Sequence, residues 1–122
     1  MPFDVKVIRT PDYVRFNVAG ASSLSNFAAL VTLISSEIER FGDLRTLIDL
    51  RAVVGRLSTE AQILLGEMAA QRAHFVFKIA SLVPAGEITR NSERAAIKHG
   101  LQLRVFNSEA SALAWLLEAE PG

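Results

Sequence analysis

Residues 47–62 read LIDLRAVVGRLSTEAQ, and the parsing of this stretch decides the fold. Its first part, extended back to Leu44, is apolar almost without alternation as far as Val54, as in a strand covered on both faces. Gly55 ends the run. Beyond it Ser58-Thr59 precedes Ala61, Leu64, Leu65, Met68 and Ala69, which recur at helical spacing. A second nearly unbroken apolar run, Phe75 to Val83, follows. Strand, helix and strand in this order predict a right-handed parallel crossover between two central strands. Gly66 within the helix costs about 1 kcal/mol relative to alanine, a cost that close packing against the sheet would offset.

Upstream, Asp4–Thr10 and Tyr13–Ala19 are strand-like runs joined by Pro11-Asp12, a turn pair, and predict a hairpin. In its second strand Val14, Phe16 and Val18 alternate with Arg15 and Asn17, the period of a half-buried strand. From Ser23 the period lengthens: Leu24, Phe27, Ala28, Val31, Ile34, Ile38 and Phe41 mark an amphipathic helix, with Ser23 near its start and Gly42 as its stop. Downstream, a short helix is expected from about Asn91 to His99. A strand at Leu101–Phe106 and a helix opening at Ser108, with Glu109 in its first turn, complete the chain. The order is ββαβαβαβα: one α/β domain over residues 1–122, built on a single mixed sheet of about five strands. It has an N-terminal antiparallel hairpin, parallel crossovers and about four helices.

A chain of 122 residues is long enough to bury roughly two thirds of its unfolded surface. Thirteen Lys and Arg balance thirteen Asp and Glu without a basic block, which argues against nucleic acid as a partner. The apolar runs stop well short of the ~20 residues of a membrane span, so no membrane insertion is expected. The start, MPFDVKVIRTPDY, does not read as a signal peptide, and the cytoplasm is the expected compartment. Absence of cysteine excludes disulfides, thiolate metal sites and thiol redox chemistry.

Three stretches, TLIDLRAV at 46–53, HFVFKIASLVP at 74–84 and RVFNSEASALAWL at 104–116, carry a resemblance to the STAS domain, and more closely to its SpoIIAA-like (STAS/SEC14-like) branch of small bacterial proteins. The resemblance covers nearly the whole chain. It implies the mixed-sheet fold derived above. It also implies a phosphorylatable serine at the start of the second helix, within an Asp-Ser-Ser/Thr-Gly type of motif in anti-sigma factor antagonists. Here that stretch is Leu57-Ser58-Thr59-Glu60: the Ser-Thr core matches, whereas Leu57 replaces the aspartate and Glu60 the glycine. Glu60 would repel a phosphoryl group, and the helix N-terminus with Arg56 would partly offset this. Ser58 and Thr59 are thus the candidate phosphorylation or partner site. With Thr59 as N-cap, Gln62 would close a Thr-x-x-Gln capping box and Ser58 would stand just outside it.

His74 and His99, the only histidines, fall in the last turns of predicted helices, where they would cap free carbonyls. No HxxxH or HExxH spacing marks a metal site, and no cofactor is expected. Asp49 lies in an otherwise apolar strand and needs hydrogen-bond donors, from loop amides or an arginine. Ligands of open parallel sheets bind outside the carboxyl ends of the strands. Asp49, Arg51, Arg56 and Arg90 therefore form the candidate anion or ligand site, beside Ser58 and Thr59. Serines 22, 23, 25, 35 and 36 lack a GxSxG context, and the first three suit caps or turns. Ile63, Trp115 and Leu116 exceed what one buried stripe needs, which suggests a homodimer surface.

No catalytic constellation emerges. The expected function is a non-enzymatic STAS-like regulatory or protein-interaction module acting through Arg51–Gln62. The alternative is a carrier or sensor of a small apolar or lipid-like ligand held between helices and sheet, for which an apolar pocket would be the distinguishing feature.

Overall fold

The structure is a computed structural model that describes residues 1–42, 45–72, 78–84, 94, 97, 98 and 102–118. The Pro11-Asp12 turn folds Asp4–Arg9 (β1) antiparallel onto Val14–Ala21 (β2), with Thr10 and Tyr13 exchanging hydrogen bonds across it. The hairpin leads into Leu24–Phe41 (α1). Ser23 is its N-cap, the Oγ accepting from the Asn26 N–H at 3.1 Å, and Gly42 ends it at φ 69°, donating to the Ile38 carbonyl at 2.7 Å. That left-handed φ is the reason a glycine closes the helix.

Arg45–Val54 (β3), Lys78–Leu82 (β4) and Leu103–Phe106 (β5) are parallel to β2 and to one another, so the sheet order is β1-β2-β3-β4-β5. Thr59–Arg72 (α2) connects β3 to β4, as the apolar runs require. Glu109–Leu116 (α3) follows β5 and is capped by Ser108. The short helix expected over 91–99 lies mostly outside the described residues, though Arg94, Ile97 and Lys98 are helical. His74, His99 and residues 75–77 also lie outside them.

Period-two side chains give the sheet two different faces. Val14, Phe16 and Val18 of β2, Ile48 of β3 and Ile79 of β4 pack against Leu30, Ile34 and Ile38 of α1 and Ala70 of α2. On the opposite face Leu47 and Ala80 pack against Ala112 and Leu116 of α3, with Tyr13, Phe106 and Trp115 around them. One irregularity matters for the site. Asn17 pairs with Asp49 but Ala19 pairs with Ala52, so β3 carries an extra residue there. This bulge lets Leu50 and Val53, three positions apart, line the same cavity.

Candidate functional site

A cavity of about 170 Å³, partly open to the surface, lies between α1, α2 and the carboxyl-terminal half of the parallel strands. Helix α1 contributes Phe27, Leu30, Val31 and Ile34, and α2 contributes Leu65, Gly66 and Ala69. The sheet supplies Ile48, Leu50, Val53, Leu103 and Val105. Gly66 is buried on this wall. Polar groups in the lining are few: Ser22, Arg56, Gln62 and Ser81.

The loop after β3 forms the rim. Gly55 turns at φ 93°, a conformation that favours glycine, and the Ser22 N–H donates to the Val54 carbonyl at 2.7 Å, joining the start of α1 to the end of β3. Arg56 is exposed on the rim and makes no ion pair among the described residues. The helix that follows corrects the capping expectation. Ser58, not Thr59, is the N-cap: its Oγ accepts from the Ala61 N–H at 3.1 Å and its carbonyl accepts from the Gln62 N–H at 2.9 Å. Thr59 is the first helical residue. Gln62 falls one position too late for a capping box, and its Nε2 instead donates to the Leu57 carbonyl at 3.0 Å, reaching back across the turn. Ser58 remains exposed, with its hydroxyl engaged as an acceptor.

Of the four residues expected to gather around an anion, the three described ones do not all come together. Arg56 borders the cavity, whereas Asp49 and Arg51 belong to the opposite face of the sheet, and Arg90 lies outside the described residues. Asp49 accepts from Arg51 three times, from its backbone N–H at 3.1 Å, its Nε at 3.0 Å and its Nη2 at 2.8 Å. Arg15 on β2 donates to Asp49 and to Glu109, each at 2.8 Å, and its Nε donates to Asn17. Arg51 reaches Glu109 at 3.2 Å. Two cations thus neutralise two carboxylates over the first turn of α3.

Burial pushes the Asp49 carboxyl up, but the hydrogen bonds and charge of Arg51, with Arg15 behind it, outweigh this and hold it below the usual aspartate range. The hydrogen bond from Arg15 does the same for Glu109. Burial lowers Arg15, and its bonds to Glu109 and Asp49 more than compensate. The quartet is a structural clasp that needs no further ion. Neither Arg15 nor Glu109 stands out in the sequence as part of it.

Of the apolar residues expected at a dimer surface, Leu116 is fully buried within the subunit and Trp115 packs on Phe106 at 5.7 Å between ring centroids. Ile63 is exposed, as is Leu64 beside it. Ser81, which the sequence reading passed over, lies in the cavity wall. A serine within IASLV reads as one more tolerated strand residue. Among the described residues no helix is long and apolar enough to cross a membrane.

No family model matches this sequence, and no curated protein matches it. Among solved structures, the chain is similar to an uncharacterized protein of the DUF3478 family with a SpoIIAA-like fold from Shewanella loihica PV-4. The TM-score is 0.60 at 18% identity, with 94% of each chain covered. The chain therefore has the SpoIIAA-like fold that the three sequence stretches resemble, and at this identity the likeness is one of fold.

Proposed function

We propose that this STAS-like module is a carrier or sensor of a small apolar ligand held between α1, α2 and the sheet. The observation that carries the reading is the cavity: about 170 Å³, walled by aliphatic and aromatic side chains at the carboxyl ends of the parallel strands. An engineered aliphatic cavity of about 150 Å³ stays dry and takes up benzene, so this volume suits a ligand body of six to eight carbons. The partner-docking reading joins the same site. Gly55, Arg56, Leu57 and Gln62 line the cavity and belong to the loop and helix start expected to meet a protein partner. An occupant would therefore press on that surface.

The test is isothermal titration with toluene, an uncharged seven-carbon probe, with native mass spectrometry of the protein purified from its own host. Saturable binding is expected, and Leu65→Trp, which fills the cavity from α2, should weaken it at least about tenfold while the circular dichroism spectrum is kept. Equal binding by wild type and Leu65→Trp would remove the cavity as the site.

A further inference from the structure

The chemical class of the ligand is marked by the polar groups of the cavity. Ser81 is nine-tenths buried on β4 and lines the cavity, yet its hydroxyl makes no hydrogen bond to any described residue. A hydroxyl on a cavity wall that is not used by the protein keeps both its donor and its acceptor capacity for whatever occupies the cavity. Its strand neighbours are Ile48 on one side and Val105 on the other, both apolar and both in the same wall. The basic residue of β4, Lys78, belongs to the other face, where its Nζ donates to the Trp115 carbonyl at 2.8 Å. A charged group beside Ser81 would have no counter-ion there, so the partner Ser81 suits is neutral.

At the rim the situation is reversed. Arg56 is a cation in contact with water, at the edge of the same cavity and without an ion pair among the described residues. The two ends are well separated. Ser81 stands level with Ile48, and Val53 lies five residues further along β3, about 15 Å at the usual rise per residue.

Resting on the proposal that the cavity holds a ligand, we infer that the ligand is a medium-chain hydroxy acid. Its carboxylate sits at the rim on Arg56, its alkyl chain lies along the α1–α2 wall, and its distal hydroxyl is hydrogen-bonded to Ser81. Ser81 is then the specificity-determining residue and Arg56 the anion-binding one.

Isothermal titration of the wild-type chain with 8-hydroxyoctanoate, octanoate and 1-octanol tests this. The hydroxy acid should bind about threefold to tenfold more tightly than octanoate, the span of one net hydrogen bond. Ser81→Ala should abolish or reverse that preference, because the ligand hydroxyl is then buried unpaired. Arg56→Gln, an exposed change that leaves the core untouched, should weaken both acids several-fold and leave 1-octanol unaffected. A preference unchanged by Ser81→Ala, or an equal effect of Arg56→Gln on acid and alcohol, overturns the assignment. Binding of toluene with no discrimination among the three compounds overturns it while leaving the apolar-ligand reading intact. Failure of every compound, the uncharged probe included, defeats both.

Discussion

At Ser58, one hydroxyl decides where α2 starts. Replacing it with alanine removes the acceptor of the Ala61 N–H and should cost about 1 kcal/mol, whereas Thr59→Ala, one residue inside the helix, should cost less than half as much. Urea denaturation of the two variants distinguishes them, and the reverse order would contradict the cap. Ser and Thr are near-equal caps, and Gln62 made the Thr59 frame look complete, so the sequence favoured the wrong residue. What settles the frame is a side-chain reach that no spacing rule contains, that of Gln62 to the Leu57 carbonyl. Thr46 is a different case. Its hydroxyl is fully buried without a hydrogen-bond partner among the described residues, so Thr46→Val, nearly the same shape, should leave stability unchanged or raise it by up to about 1 kcal/mol in the same assay.

At the scale of the element, α3 shows how a helix of eight residues is held. Ser108 caps its start and the quartet of Arg15, Asp49, Arg51 and Glu109 clamps its first turn. At its end Lys78, itself buried, donates to the Trp115 and Glu118 carbonyls at 2.8 and 3.4 Å and lies 4.8 Å from the Trp115 ring centroid. A cation is stabilising at that end of the helix. The depressed carboxyls make the clasp pH-sensitive. Both are more acidic in the folded state than their ordinary values of 3.8 and 4.5, so their contribution is complete above that range. It is lost as the pH falls through the ordinary values to the lower folded ones, because the unfolded chain then binds the extra protons. Urea midpoints between pH 6 and pH 3 should fall accordingly, and Asp49→Asn should flatten the decline. Glu109→Gln should do so less, since its side chain is 42% exposed against 13% for Asp49 and is more open to solvent screening. Both helix boundaries at α1 were legible, because Ser23 and Gly42 act through their immediate neighbours. The clasp was not, since Arg15 and Glu109 meet across 94 residues of sequence.

For the whole molecule, the sheet separates two different interiors. One face carries α3, closed by ion pairs and a buried lysine; the other carries α1 and α2 over a hollow lined by apolar side chains. The order of elements, the hairpin and the parallel central strands followed from local signals, the alternation at Val14, Phe16 and Val18 and the unbroken apolar runs of β3 and β4. The hollow did not. Its lining residues look like ordinary core at every position, and only the separation of the helix layer from the sheet leaves space among them. Gly66→Ala tests that separation: a methyl group on this wall should add up to about 1 kcal/mol of helix stability and weaken binding of an apolar probe, both measurable on one preparation. Unfilled volume also has a mechanical meaning. Unfolding replaces the void with water and shrinks the system, in proportion to the void removed. Hydrostatic pressure should therefore unfold this protein more readily than a cavity-filled variant such as Leu65→Trp. Under compression the amides of α1 and α2 should lose their native NMR signals before those of α3, making the molecule a pressure-sensitive body with one soft side.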